Sequence, residues 1–213
     1  MQNSDETRPR GRGRPRAFDR EAALDKAMRL FWLKGYESTA ISDLTAELGI
    51  GAPSLYAAFG PKEALYVEAL GHYRVNFEAF VWANFKAAAT ARQAVEALLM
   101  DSAAALTGSL VEMPTGCMVT LSVIDGQVHH ELGELVRSAR AVTLERIEAR
   151  LVRAIAEGEL PAALDVRALA RFAQTVQNGM SLLARDGVCR AELEDVARVS
   201  MAAWDARVAQ AGG

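Results

Sequence analysis

"LTAELGIGAPSLYAAFGPKEAL", residues 44–65, sets two short apolar-striped segments on either side of Gly49-Ile50-Gly51 and runs into a lysine-led helix start. Each segment is about two turns long, and an isolated helix below roughly 12 residues is marginal in water, so both need tertiary support. Leu44 with Leu48, and Leu55 with Phe59, fall at i,i+4 and give each segment one narrow face to bury. Ser42 reads as the N-cap of the first and Gly49 as its stop. Pro53 sits in the first turn of the second, where a missing N–H loses no hydrogen bond. A stop and restart within about four residues, with glycine between, is the spacing of a helix-turn-helix. The corner of an ordinary helical bundle shares that spacing.

A supporting helix lies upstream in "FDREAALDKAMRLFWLKG", residues 18–35. Asp19 is placed as its N-cap, Phe18 and Ala23 as a hydrophobic staple, and Gly35 as its stop. Leu24, Ala27, Met28 and Phe31 form the stripe on which the short pair would pack. Before it comes "RPRGRGRPR", residues 8–16, with five arginines and no acid. Such a stretch cannot bury a core, and a basic arm of this kind tracks the DNA backbone or enters a narrow minor groove. A solubilising tail without a partner is the alternative. Arg12-Gly13-Arg14-Pro15, continued by Arg16, resembles the core of an AT-hook.

Net charge alone, −3 for 213 residues, argues against nucleic acid, but its distribution argues for it. Residues 1–62 hold ten Lys or Arg against eight Asp or Glu, a balance of +2, and the rest holds fourteen against nineteen, a balance of −5. Positive charge is concentrated where DNA would lie. Apolar residues make up 51%, with no run of about 18 uncharged apolar residues, so no membrane partner is expected. No secretory leader is visible, and two cysteines do not make a disulfide framework, so a cytoplasmic protein is expected.

Residues 17–70 resemble the DNA-binding head of the TetR family of bacterial transcriptional regulators. The resemblance rests on "GYESTAISDLTAELGIGAPSLYAAFGPKEAL", residues 35–65. It has a Gly-aromatic end to the first helix, a Thr before the second, and Leu-Tyr-x-x-Phe followed by Lys-Glu-x-Leu. The resemblance implies that Tyr56 and Lys62 hold phosphates, that Thr39 and Ser42 touch the DNA backbone beside them, and that Ala52, Pro53 and Ser54 meet bases. Many relatives carry a longer polar side chain at the start of the recognition helix. Here Gly51, Ala52 and Pro53 leave Ser54 as the only polar group, so shape and methyl contacts should outweigh direct base readout.

The fold class expected is all-α, a three-helix helix-turn-helix head with a helical ligand-binding and dimerisation body. The divisions are a disordered basic arm over 1–16, a DNA-binding domain over 17–62, and an effector-binding and dimerisation domain over 63–213. In the body, periodicity predicts a long helix over 61–85 carrying Leu65, Ala69, Val75, Phe77, Phe80 and Phe85, and another over 90–106. "TGSLVEMPTG", residues 107–116, breaks the pattern before a short helix from Cys117 and a longer charged one ending near Gly158. Pro161 then separates two last helices, the first capped by Asp165. The resemblance makes these the dimer pair, through Leu169, Phe172, Val176, Gly179, Met180 and Leu183 on one and Val196, Val199, Ala203 and Trp204 on the other. Their stripes fit a monomer core equally well.

The resemblance also implies an unidentified small-molecule effector, read as apolar or aromatic. Its pocket would be bounded by Phe77, Phe80, Phe85, Leu99, Met113, Cys117, Met118 and Phe172, any of which also suits plain core. Gly116-Cys117 resembles a branch of the family in which some members sense electrophiles or metals through cysteine. Free cysteine otherwise serves as a small buried hydrophobe. Cys117, His129 and His130 form no nucleophile or metal signature, and only Glu134 stands at i,i+4 from His130, so no enzyme, cofactor or metal is expected. The expected function is a ligand-released repressor that binds a palindromic double-stranded operator as a homodimer. The alternatives are an architectural protein of AT-rich DNA and a cysteine-dependent helical enzyme.

Overall fold

The structure, a computed structural model, describes residues 18–213. Among the described residues it is all-α: α1 (Arg20–Lys34), α2 (Ile41–Leu48), α3 (Ala52–Phe59), α4 (Lys62–Ala87), α5 (Ala91–Leu106), α6 (Met118–Leu121), α7 (His130–Ala156), α8 (Val166–Arg185) and α9 (Arg190–Gly212). None is long and apolar enough to cross a membrane.

Capping chemistry sets several of the boundaries. The Asp19 carboxylate accepts from the Glu21 and Ala22 amides at 3.1 Å, Thr90 Oγ1 from Gln93 N at 3.1 Å, and Asp165 from Ala168 N at 3.0 Å. Ser42 departs from the expectation. Helix α2 begins two residues earlier, with Ala40 as N-cap, and Asp43 rather than a serine completes the cap by accepting the Ala40 amide at 3.0 Å. Gly49 closes α2 with φ of 68°, a left-handed conformation that favours glycine, and the chain restarts at Gly51.

Two cores result. The first joins α1, α2 and α3 around Phe31, Leu44, Leu55 and Phe59 and is continued by Leu65, Tyr66, Leu70 and Tyr73 of α4. Met118, Val119, Leu132 and Val136 of the body complete it, so head and body share buried surface. The second lies among α5, α7, α8, α9 and the far end of α4. Val75, expected on the buried stripe of α4, is 81% exposed. The apolar period of this helix changes where it leaves the head and meets the body, and Val75 falls on the outer side at that change.

Candidate nucleic-acid interface and body cavity

Helix α3 is held by its inner face and offered by its outer one. Leu55 and Phe59 are buried against the head core, whereas Pro53, Ser54, Tyr56 and Ala57 are exposed and Ala52 is half-buried. Tyr56 retains 49% of its surface, a large side chain that no packing demand explains. The only polar groups on this face are the Ser54 and Tyr56 hydroxyls. It can place a one-helix probe in a major groove and read it largely by shape. Ser42 is exposed beside it on α2.

Thr39 and Lys62 occupy other places than the motif alone suggests. Thr39 is fully buried, and its hydroxyl donates to Gly35 O at 2.6 Å. That hydroxyl ties the turn after α1 and is not presented to a DNA backbone. The Lys62 ammonium donates to Tyr36 O and Thr39 O, both at 3.1 Å, and sits 4.1 Å from the centre of the Tyr36 ring. Two of its three protons are therefore used inside the protein, leaving one for another acceptor.

The other described cations of the head are also engaged. Arg20 meets Glu68 and Ala58 O, Lys26 meets Glu47 O, Arg29 meets Asp25 and Glu112 O, and Lys34 meets Asp43. The Ala40 amide, and after it Lys34, holds the Asp43 carboxyl below its ordinary range. Residues 18–62 hold five Lys or Arg against six Asp or Glu, a balance of −1. Residues 1–17 hold five arginines against two acids, a balance of +3. Arg12, Arg14 and Arg16 lie outside the described residues, and the surplus positive charge of residues 1–62 resides in that segment of the sequence.

In the body, a cavity of about 70 Å³ is lined by α4, the end of α5, α6, α7 and α8. Phe77 and Cys117 of the expected effector set line it. Phe80 and Met113 line a smaller neighbouring void of about 30 Å³, to which Phe77 also contributes. The rest of that set lies elsewhere: Leu99 and Phe85 are packed in the second core, Met118 is buried beneath the head, and Phe172 is 38% exposed on the outside of α8. Tyr73, Glu78, Trp82, Arg140, Arg146 and Asn178 form walls that sequence reasoning missed. They come from three helices far apart in the chain, and no local spacing signals them.

Gly116 fixes the position of Cys117. Its φ is 78°, and a Cβ there would fall 2.9 Å from Ser181 O, so the loop can pass α8 only as glycine. Ser181 Oγ then accepts the Cys117 amide at 2.8 Å, and the Tyr73 hydroxyl donates to Cys117 Sγ at 3.3 Å. Burial, and then the neighbouring thiol, pushes the Tyr73 phenol well above its usual range. Helix α6 is a single turn, too short for the strong N-terminal field expected at Cys117.

The expected dimer residues divide into two faces. Leu169, Met180 and Trp204 are buried in the monomer's own core, so their place in the expected interface set is not supported. Phe172, Gly179 and Leu183 of α8, with Val196, Val199 and Ala203 of α9, point outward, and Val199 is 72% exposed, whereas Val176 is half-buried and packs against the second core. Elsewhere, His130 and Glu134 are exposed and 4.0 Å apart, while His129 lies 3.5 Å from Glu63 and 3.9 Å from Glu37. Among the described residues no group of three or more such side chains is placed to hold a metal ion.

Residues 23–69 match the family described as bacterial regulatory proteins, tetR family. The chain is 36% identical to the HTH-type transcriptional repressor ComR of Escherichia coli K12 over 202 residues, 92% of this chain and 93% of that one. It is 29% identical to the HTH-type transcriptional regulator YezE of Bacillus subtilis 168, over 91% of this chain and all of that one. Among solved structures, a cysteine mutant of the TetR family regulator CifR, complexed with 26-bp double-strand operator DNA, is 38% identical. It superposes with a TM-score of 0.83 over 90% of this chain and all of that one.

Proposed function

This chain belongs to the TetR family of bacterial regulatory proteins, a DNA-binding transcriptional regulator, and on that premise we propose that it represses as a homodimer on a palindromic operator and is released by a small molecule in its body. The observation that carries the reading is the outer face of α3. Pro53, Ser54, Tyr56 and Ala57 stand exposed on a short helix whose inner face is locked by Leu55 and Phe59. A relative that superposes over 90% of this chain is complexed with double-strand operator DNA, which supports a DNA partner.

One two-turn helix reads few base pairs, and twofold pairing doubles the site. The exposed apolar residues of α8 and α9 have no partner among the described residues, and two such helix pairs make an intermolecular four-helix bundle. Gly179, with open space around its Cα, lets two α8 helices approach closely. The heads then address successive major-groove faces about 35 Å apart.

Release needs a link from cavity to head, and Arg185 provides one. From the last turn of α8 its guanidinium donates to Trp32 O at 2.9 Å and Leu33 O at 3.2 Å in the head, and to Thr115 O at 3.0 Å in the loop leading to Cys117. Helix α8, the loop leading to Cys117 and the end of α1 thus meet on one side chain. A ligand that shifts this junction changes the spacing of the heads, and it lowers DNA affinity only insofar as it favours the misplaced state.

The dimer is tested by sedimentation equilibrium. Wild type should be dimeric at micromolar concentration, and Val199→Glu, which puts a charge on the outward stripe, should be monomeric and bind selected operator DNA at least about a hundredfold more weakly. A Val199→Glu protein that remains dimeric, or binds as a monomer with unchanged affinity, overturns the assignment.

A further inference from the structure

The walls of the body cavity do not suit a purely apolar guest. Two of them, Arg140 and Arg146, are cationic and one, Glu78, is anionic. Arg140 is committed, donating to the Val119, Thr120 and Ser122 carbonyls around α6. Arg146 is not. Its Nη2 lies 3.0 Å from Glu78 Oε2 and its guanidinium sits 4.8 Å from the centre of the Trp82 ring, but Nη1 is buried with no partner among the described residues. A buried guanidinium N–H without an acceptor is costly, and it is satisfied best by an anion. Glu78 does not serve it: Oε2 meets Nη2 instead, and Oε1 accepts from Arg74 at 2.9 Å.

The surface on the other side of Arg146 has the same sign. Arg146 also lines an outer groove of about 400 Å³ with Lys86, Arg150 and Arg153, and no acid lines that groove. Arg150 is 94% buried by its 6% exposure. Its Nη2 meets Ala89 O at 3.1 Å and Glu159 at 3.3 Å, while Nε and Nη1 have no partner among the described residues. A groove lined by one sign of charge concentrates ligands of the other. Inside, Tyr73, Phe77, Val81 and Trp82 supply an apolar, largely aromatic surface beside Arg146, and Asn178 and Thr143 add neutral polar groups.

We infer that the effector of this cavity is a small organic monocarboxylate with a flat apolar body, its carboxylate taken by Arg146 and its body laid against Phe77 and Trp82; a ring is larger than the empty cavity of about 70 Å³, so its entry pushes the walls apart. This rests on the reading of the body as an effector domain and names the chemical class that domain takes. Glu78 is the internal competitor: it occupies one nitrogen of Arg146 and repels an entering carboxylate. Burial pushes the Glu78 carboxyl up, but hydrogen bonds from Arg74 and Arg146 outweigh it and leave the group below its ordinary value, hence ionised at neutral pH.

The test is calorimetric titration of the full-length protein, without DNA, with benzoate, phenylacetate, their neutral amides and inorganic phosphate. Wild type should bind at least one of the carboxylates about tenfold or more tighter than its amide and than phosphate. Arg146→Gln should abolish the preference, and Arg146→Lys, which keeps the charge but loses the planar fork, should retain part of it. Glu78→Gln guards against a mere folding defect, because it should tighten carboxylate binding several-fold and leave amide binding unchanged. Amides or phosphate binding as well as the carboxylates overturns the inference, as does no carboxylate binding up to about 10 mM. A preference that survives Arg146→Gln overturns it too. Operator binding is measured separately on the unliganded protein, so failure here leaves the repressor reading standing, and failure there leaves this one standing.

Discussion

Replacing Arg185 with methionine should loosen the head from the body without unfolding either. The side chain closes two of the four carbonyls that α1 leaves unpaired at its C-terminus, Trp32 O and Leu33 O, and ties them to Thr115 O. A cation at that end of a helix is also favoured by the helix dipole. Hydrogen bonds to a charged donor contribute roughly 1.5–3 kcal/mol each. Two effects reduce the sum. Burial lowers the pKa of the guanidinium, a sign that desolvation opposes its charge, and the adjoining cleft of about 390 Å³ gives water access to the abandoned carbonyls. A net loss of about 2 kcal/mol remains, with methionine keeping much of the stem packing. Hydrogen exchange is the direct assay. Amides in the last turn of α1 should exchange roughly thirtyfold faster, the factor equivalent to that energy, while amides of α5 and α9 stay protected. The distribution of distances between spin labels on the two heads of the dimer should broaden. Unchanged exchange in α1 together with an unchanged distribution would refute the role given to Arg185.

Deleting residues 1–16 should leave the fold and the dimer intact but weaken DNA binding at low salt by more than about tenfold, since the remaining head residues 18–62 carry a balance of −1. Equal binding by the truncated protein returns the arm to a solubilising tail. Lys62→Met should lower head stability by about 1–2 kcal/mol through the lost bonds to Tyr36 and Thr39, and should flatten the salt dependence of binding by about 0.9 if its third proton meets a phosphate. An unchanged slope restricts Lys62 to the internal role. A mild electrophile should release DNA from wild type and from Cys189→Ser but not from Cys117→Ser if the thiol at the cavity wall is a sensor. Release of the Cys117→Ser protein by the same dose excludes it.

The head could be read from local chemistry because its signals are local. Asp19, Gly35, Gly49 and Pro53 act within a turn of where they stand, and the i,i+4 pairs Leu44–Leu48 and Leu55–Phe59 fix which faces turn inward. Ser42 and Ala40 show the limit of such signals, since the cap was completed by Asp43 reaching back to a residue with no polar side chain. Thr39 and Lys62 carry polar groups that a motif assigns to DNA, but the α1–α2 turn needed them for its own carbonyls. On α8 and α9 the apolar residues cover more than one stripe. The sequence period places Met180 and Val176 on the helix without saying which side meets the monomer core. The cavity is the least local feature of all. Glu78, Arg146 and Asn178 come from α4, α7 and α8, and only the packing of those helices gives Arg146 its buried, unpartnered nitrogen.

Selection of DNA from a random pool by the protein asks whether α3 reads an operator. An inverted repeat should be enriched whose half-sites lie about one helical turn apart, with AT-rich flanks that depend on residues 1–16, and with the half-site preference lost on substitution of Ser54 and Tyr56. Enrichment of AT-rich sequence alone, with no inverted repeat and no effect of changes on α3, would contradict that reading and leave an architectural DNA-binding protein in its place.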